Sequence, residues 1–157
     1  MAKHSVLDVY SKKDVSRAGE LIAIDKLPYT KERAAEIEKA FLIANKWRRA
    51  HSGAMQSIRL SVRIHMRNNG LEGLTAARLK QMQSIRRKLA RPTFSLGLNQ
   101  MQDIGGCRAI LHNIESVRAL VSILREKLPS EEYEQDDYIA KPKIDGYRSH
   151  HLIFKFL

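Results

Sequence analysis

Apolar residues recur at helical spacing through much of the first half of the chain. The pattern is clearest after Lys31, where Ile37, Phe41 and Ala44 fall on one helical face. Farther along, Thr75 is a suitable N-cap, and Pro92 lies just beyond the last residue of a further periodic segment. The pattern therefore predicts helices from Lys31 to about His51, from about Met55 to Arg67, and from Thr75 to Ala90.

The second half of the chain changes to short apolar segments that are typical of strands. Strands are predicted at Ile104 to Leu111, Tyr138-Ile139 and Leu152 to Leu157, with an amphipathic helix at Ser116 to Leu128. This order predicts an α/β (α+β) fold in which a helical N-terminal leader precedes a mixed sheet flanked by helices. We expect residues 1–74 to form the leader, packed on the same domain as a core of residues 75–157.

Composition narrows the class of partner. The chain has 157 residues, 43% of them hydrophobic, and a formal net charge of +11 at pH 7. Such a charge favours phosphate-rich partners, namely nucleotides, nucleic acid or an anionic surface. The single cysteine, Cys107, cannot form an internal disulfide and is expected to be a small core residue. With no apolar run long enough for a membrane span or a signal peptide, we expect a cytoplasmic protein without membrane association.

The predicted third helix offers a phosphate-binding face. Lys80, Ser84 and Lys88 lie one turn apart and would form a single stripe of two ammonium groups flanking a hydroxyl. That stripe could hold a polyphosphate. An ordinary amphipathic surface helix explains the same spacing, and spacing alone favours this simpler interpretation. The apolar stripe on the opposite side consists of Leu79, Met82, Ile85 and Leu89.

Two charged residues accompany the first predicted strand. Asp103 precedes Ile104-Gly105-Gly106, where a carboxylate could hold a magnesium ion that bridges phosphate oxygens, or could simply cap a turn. Arg108 lies inside the strand, where we expect it to be buried and therefore to need a planar or anionic partner.

The segment from Asp137 to His151 combines lysines, a tyrosine and histidines in one loop between strands. Tyr147, next to Gly146, offers a flat face for a base, and Lys141 and Lys143 offer charges for its phosphates. A basic surface hairpin with Tyr147 packed in the core is the alternative. The adjacent histidines would point to opposite faces of a strand, which argues against a zinc pair.

Taken together, these segments resemble the synthetase domain of the RelA/SpoT family. Arg78 to Lys88 resembles its Arg-x-Lys, Ser-Ile, Lys segment, and Asp103 to Ile110 resembles its Asp-hydrophobic-small-Gly-x-Arg strand. Asp137 to His151 resembles its acceptor-nucleotide loop. The resemblance implies a nucleotidyltransferase-like fold and a single-domain GTP pyrophosphokinase, which transfers pyrophosphate from ATP to the 3′-hydroxyl of GDP or GTP. The product would be the (p)ppGpp alarmone of the stringent response.

The resemblance also implies roles for individual residues. Asp103 would be the catalytic residue that holds Mg²⁺, Arg78 and Arg108 would sandwich the adenine of ATP, and Tyr147 would stack on guanine. The implied ATP-binding set is Arg78, Lys80, Ser84, Lys88 and Arg108, and the implied acceptor-binding set is Lys141, Lys143, Tyr147, Ser149 and His151.

One departure from the family pattern concerns the last strand. Family members continue into a Glu-x-Gln-x-Arg-Thr segment, whereas no acidic residue follows His151 here. We therefore expect a truncated core with weak activity or none, and an exposed, unpaired last strand that invites self-association.

Two other functions remain open at this stage. Toxin-type relatives pyrophosphorylate the 3′ end of tRNA, and Arg59, Arg63 and Arg67 at i, i+4 and i+8 would suit an RNA backbone. A non-catalytic nucleotide-binding or RNA-binding module is the other alternative. Homo-oligomerisation is likewise left open.

Overall fold

The chain folds into helices and short antiparallel strand pairs, which confirms the α/β class. The computed structural model describes residues 10–23, 30–93, 95–127 and 133–154. Within these residues, no helix is long and apolar enough to span a membrane. The elements are α1 (Lys12–Ala23), α2 (Lys31–Asn68), β1 (Gly73–Leu79), α3 (Met82–Leu89), a 3-10 turn (Leu98–Gln100), β2 (Gly105–Leu111), α4 (Ile114–Lys127), β3 (Tyr133–Asp137) and β4 (His150–Phe154).

Helix α1 was missed by the sequence analysis, although its N-terminus carries a recognisable cap. The Ser11 hydroxyl accepts a hydrogen bond from the Asp14 amide at 3.1 Å, and the Asp14 carboxylate accepts one from the Ser11 amide at 2.9 Å. These reciprocal bonds satisfy donors that the first turn would otherwise leave unpaired. Val15, Ala18 and Ile22 then recur at helical spacing and are buried. The helix could have been predicted from the Ser-x-x-Asp capping motif and the apolar periodicity that follows it.

Helix α2 is continuous where two helices were predicted. The predicted gap after His51 contains Gly53, and a single glycine inside a helix costs only about 1 kcal/mol relative to alanine. Since the helix has no proline or cap at this position, it continues to Asn68. Gly70, with φ of 64°, follows its end, as the Asn-Asn-Gly sequence predicted.

The predicted helix from Thr75 to Ala90 is wrong in its first half. Residues up to Leu79 form β1, and α3 begins only at Met82, after Gln81 in an extended conformation. Thr75 therefore lies within a strand and caps nothing. The backbone amide of Lys80 donates to the carbonyl of Ile104 at 2.7 Å, so a nonlocal hydrogen bond replaces the helical one. Tertiary pairing overrides a weak local preference in this segment.

The described strands form two separate pairs, β1 with β2 and β3 with β4, in place of one mixed sheet. The strand predicted at Ile104 to Leu111 is confirmed as β2. The amphipathic helix predicted at Ser116 to Leu128 is confirmed as α4, with Leu128 outside the described part. The strand predicted at Tyr138-Ile139 is wrong, because β3 ends at Asp137 and a turn follows. The last strand begins earlier than predicted, at His150, and pairs antiparallel with β3, so it is not unpaired. Residues 155–157 of that prediction lie outside the described part.

The chain divides into two compact units, each with its own core. Unit 1 comprises residues 1–55 and 77–106, and unit 2 comprises residues 56–76 and 107–157. The expected division at residue 74 stays a prediction. Unit 1 buries Val15, Ala18, Ile22, Ala40, Ile43, Ala44, Ile85, Leu98, Met101 and Ile104. Unit 2 buries Val62, Met66, Leu120 and Leu124, with Cys107, Ala109, Leu111 and Leu152 packed against them.

Gly19 tests the packing of α1 in unit 1. A Cβ at this position would lie 2.7 Å from the Leu98 Cβ and 3.2 Å from the Leu98 amide nitrogen. We expect Gly19→Ala to lower the free energy of unfolding by about 1–2 kcal/mol, because overpacking outweighs the gain in helix propensity. Gly53→Ala is the matched control, since its Cβ would meet no atom within 4 Å. It should raise that free energy by up to about 1 kcal/mol. Urea unfolding of both variants measures the difference, and equal effects would contradict the close contact.

Candidate functional site

Two lysines and one aspartate converge in unit 1. The Lys80 Nζ donates to Asp103 Oδ2 at 2.8 Å, and the Lys88 Nζ donates to Asp103 Oδ1 at 3.0 Å. The carboxylate therefore receives one ammonium group on each oxygen. All three side chains remain accessible, with 24% of Lys80, 27% of Lys88 and 48% of Asp103 exposed. We call these residues the lysine–aspartate cluster.

The backbone around the cluster explains how residues distant in sequence meet. Lys80 lies in the connection between β1 and α3, and its carbonyl accepts a bond from Arg48 Nη1 at 3.5 Å. Lys88 lies in the last turn of α3, while Ile85 on the same helix is fully buried in the core. Asp103 lies between the 3-10 turn and β2. The cluster thus joins the β1–α3 connection, the last turn of α3 and the segment that precedes β2.

The predicted lysine–serine–lysine stripe needs correction. Lys80 precedes α3, so only Ser84 and Lys88 share that helix. Ser84 is half-buried. Lys80 nevertheless reaches the same carboxylate as Lys88, because the extended residues before α3 project its long side chain toward Asp103. The two lysines meet through tertiary structure and not through helical periodicity.

The lysines control the ionisation of Asp103. Partial burial raises the pKa of this carboxyl, but hydrogen bonds from Lys80 and Lys88, together with their charges, outweigh burial. The net pKa of Asp103 therefore lies below its ordinary value, and the group is a carboxylate at neutral pH. An ionised oxygen ligand of this kind is what a magnesium ion requires.

The two arginines predicted to bind adenine are both exposed. Arg108 was expected to be buried, but it is exposed. Side chains alternate along β2, and Cys107, Ala109 and Leu111 occupy the inward positions, so Arg108 points to the other face. Arg78 is also exposed, in the part of β1 that belongs to unit 1, whereas Arg108 belongs to unit 2. Their shared role stays a prediction.

The predicted acceptor segment, Asp137 to His151, forms a cluster of rings in unit 2, and its residues 138–149, which connect β3 with β4, are called the acceptor loop. The Tyr147 hydroxyl and His151 Nε2 lie 3.0 Å apart, and the two rings meet edge to face. Tyr138, which the sequence analysis did not single out, contacts both rings with centroid distances of 5.9 Å and 5.2 Å. The Lys143 Nζ lies 4.4 Å from the Tyr138 centroid and 5.5 Å from that of Tyr147. The result is a cluster of three mutually inclined rings with one ammonium group over two of them.

Local turns place these side chains. Gly146 has φ of 81°, a conformation that favours glycine, and its amide donates to the Lys143 carbonyl at 2.9 Å. The Tyr147 amide donates to the Asp145 carboxylate at 3.0 Å. Lys141 is exposed in the same loop, and Ser149 is half-buried, with its carbonyl accepting from the Tyr138 amide.

A second carboxylate, Asp137, organises the start of this loop. Its Oδ1 accepts bonds from the Ile139 amide at 3.1 Å and the Ala140 amide at 3.0 Å, while Oδ2 accepts from Arg118 of α4. The Arg118 hydrogen bond, helped by these backbone donors, lowers the pKa of Asp137 to about 2. Asp137 is therefore ionised throughout the neutral range.

Besides the two carboxylates, the described residues include Cys107 and possible metal ligands. Burial raises the pKa of the Cys107 thiol, and Cys107 packs against the unit 2 core, which agrees with its expected structural role. Within the described ranges, no group of three or more histidine, cysteine, aspartate or glutamate residues could together hold a metal ion. A metal at Asp103 would need its remaining ligands from substrate or water.

Comparison with known proteins identifies the class. Residues 77–156 match the family model described as a region found in RelA / SpoT proteins, and this segment makes up half of the chain. The chain belongs to the RelA/SpoT family. The matched segment includes the lysine–aspartate cluster and the acceptor loop.

Several curated relatives are named for one activity. The chain is 34% identical over 85 residues to GTP pyrophosphokinase YwaC of Bacillus subtilis (strain 168), covering 52% of this chain and 40% of that protein. It is 34% identical over 77 residues to GTP pyrophosphokinase YjbM of the same organism, covering 48% and 36%. The GTP pyrophosphokinase of Escherichia coli (strain K12) is 27% identical over 92 residues, covering 59% and 12%. The matches therefore span less than half the length of these relatives.

The low pKa of Asp137 predicts a pH-dependent contribution to stability. A carboxyl whose pKa falls on folding stabilises the fold above its ordinary pKa of 3.8, and this stabilisation is lost as pH falls toward about 2. We expect the difference in free energy of unfolding between the unsubstituted protein and Asp137→Asn to shrink across that interval. Urea unfolding at several pH values measures it. Asp136→Asn, at the exposed neighbouring position, is the control, and a constant Asp137→Asn difference would contradict the Arg118 contact.

Proposed function

We propose that this chain carries the nucleotide-binding elements of a GTP pyrophosphokinase. The reaction would transfer the β,γ-pyrophosphate of ATP to the 3′-hydroxyl of GDP or GTP, which loses its proton, and would yield a (p)ppGpp alarmone and AMP. The observation that supports it most directly is the convergence of Lys80 and Lys88 on Asp103, since both ammonium groups lie within 3.0 Å of one carboxylate. Membership of the RelA/SpoT family and the name GTP pyrophosphokinase carried by several relatives support this proposal.

The lysine–aspartate cluster has the chemistry of a polyphosphate site. Two ammonium groups that converge on one carboxylate can also converge on a phosphate, which is an anion of similar size and higher charge. Their partial exposure leaves the cluster accessible to a nucleotide. On binding, we expect Lys80 and Lys88 to exchange the Asp103 oxygens for phosphate oxygens. Ser84, one turn before Lys88, would add a hydroxyl donor.

Asp103 fits the part of a magnesium ligand. Magnesium in phosphoryl-transfer sites is usually held by one or two carboxylates together with substrate phosphates and water. Asp103 is ionised, and the lysines that now contact it would be drawn to the phosphates, which would free its oxygens. Bound Mg²⁺ would neutralise charge that develops on the phosphate oxygens. Because pyrophosphate transfer needs positioning and charge stabilisation, no protein nucleophile is required.

The acceptor loop fits a purine nucleotide. Tyr147 would stack on the guanine, while Lys143 and Lys141 would neutralise phosphates and His151 would lie near the ribose. Lys143 already lies above the Tyr138 and Tyr147 rings, so a stacked base would require its ammonium to shift toward the phosphates. Ser149 helps to close the loop through its carbonyl. We further propose a cytoplasmic location, where both nucleotides are abundant, and a role in the stringent response.

Binding of an ATP analogue tests the lysine–aspartate cluster. We expect Lys88→Gln and Lys80→Ala each to weaken binding of a non-hydrolysable ATP analogue with Mg²⁺ by roughly tenfold or more, because each removes a charge-assisted bond to phosphate. Arg87→Gln, which removes one exposed cation from the same helix, is the matched control and should bind normally. Asp103→Asn should abolish the increase in affinity that Mg²⁺ produces. Calorimetric titration measures all four variants, and equal affinities would count against the site.

Product analysis tests the reaction. With γ-labelled ATP and Mg²⁺, all label that this chain transfers should appear on GDP or GTP, and thin-layer chromatography separates these products from ATP. Offering tRNA in a parallel reaction checks the toxin-type alternative. Label found only on tRNA would overturn the proposed acceptor. Nucleotide binding without any labelled product would instead indicate a non-catalytic module.

A further inference from the structure

The two ends of the acceptor loop meet at the edge of the β3–β4 pair. Asp137 is the last residue of β3, His150 is the first residue of β4, and the two are directly paired in the antiparallel register. The Tyr138 amide donates to the Ser149 carbonyl at 2.9 Å, which closes the base of the loop. The conformation of residues 138–149 therefore depends on how this pair is held.

Arg118 of α4 holds both members of the pair. Its Nη1 contacts the Asp137 Oδ2 and also lies 3.2 Å from the His150 Nδ1. Since Nη1 carries two hydrogens, it can donate one to each acceptor. His150 Nε2 lies 3.3 Å from the Gln135 amide oxygen, so the ring donates there and accepts from Arg118. Only 4% of the His150 side chain is exposed.

The ionisation states agree with this geometry. Burial lowers the pKa of His150, and the neighbouring Arg118 charge opposes its protonation, although Asp137 acts in the other direction. A neutral His150 has the free Nδ1 lone pair that Arg118 requires. The arrangement is thus a three-residue junction of guanidinium, carboxylate and neutral imidazole, which we call the loop anchor.

We propose that Arg118 is a positioning residue for the acceptor nucleotide, because it joins the last residue of β3 to the first residue of β4. Asp137 also accepts the amides of Ile139 and Ala140, so holding its carboxylate holds the first turn of the loop. His150 precedes His151, whose ring contacts Tyr138 and Tyr147. The loop anchor therefore restrains both ends of the ring cluster, and none of its residues is proposed to contact the nucleotide.

An ordinary surface ion pair would not have this effect. Exposed ion pairs contribute little to stability and need not constrain their surroundings. Arg118 differs because it links α4 with the ends of two strands, and one of its partners is almost fully buried. Its loss would leave the Nδ1 of His150 without this donor and the Asp137 carboxylate without its cation.

The inference rests in part on the proposed function, so the experiment separates the two. Hydrogen–deuterium exchange is measured first on the unsubstituted protein, Arg118→Gln and Arg118→Lys. Lys127→Gln is the matched control, because it removes one exposed cation from the same helix and its recorded ion pair is with the adjacent Glu126. We expect Arg118→Gln to speed exchange in residues 138–149 by roughly tenfold or more, with α2 and β2 unchanged. Arg118→Lys should restore part of the protection.

GDP affinity and steady-state kinetics form the second part. Arg118→Gln should raise the Kd or KM for GDP by roughly tenfold to a hundredfold and leave affinity for the ATP analogue within about twofold. Unchanged loop exchange would overturn the anchor, whatever the activity. Faster exchange with equal losses of GDP and ATP affinity would overturn the specific role in acceptor positioning. Absence of GDP binding by the unsubstituted protein would refute both the proposed acceptor site and this role, while exchange would still decide whether Arg118 holds the loop.

Discussion

One carboxylate, that of Asp103, holds together the two lysines of the proposed nucleotide site. Asp103 receives Lys80 on one oxygen and Lys88 on the other, so two like charges are held close together by an intervening anion. Without Asp103, the two ammonium groups would repel each other and lose this fixed arrangement. In the proposed function, a polyphosphate would bind the two lysines and the carboxylate would bind a magnesium ion. The ion pairs seen in the structure and the proposed chemistry would therefore involve the same three side chains.

In unit 2, a carboxylate again accepts hydrogen bonds from several donors, and there it fixes the conformation of a loop. Asp137 receives Arg118 and two backbone amides, and Arg118 extends the junction to His150. The Asp137 carboxylate fixes the start of a loop. Its oxygens already accept hydrogen bonds from Arg118 and two backbone amides, so it is not proposed as a ligand-binding group. The pKa of about 2 for Asp137 reflects these fixed donors. One acidic residue in each unit thus gathers basic partners from distant segments.

Some features of the site followed from sequence alone, and others did not. Asp103 before β2 and the loop after β3 were predicted because short motifs specify their own turns and strand ends. Burial of Arg108 was predicted wrongly, because burial alternates along β2 and Arg108 lies on its exposed face. Tyr138 was placed in a strand, although it begins the turn and joins the ring cluster. The role of Arg118 could not be predicted from a local motif, because its partners Asp137 and His150 lie far along the chain.

The sequence by itself determined the helical segments α2 and α4, strand β2, the basic charge and the family motifs, because these depend on local periodicity and on residue type. Only the tertiary structure decided that residues 73–79 form a strand, since they pair with β2, a segment distant in sequence. It also decided which charges meet. Lys80 reaches Asp103 from outside the helix, and Arg118 reaches both ends of a loop. Periodicity records which face a residue occupies, whereas a salt bridge depends on where distant backbone segments are brought together.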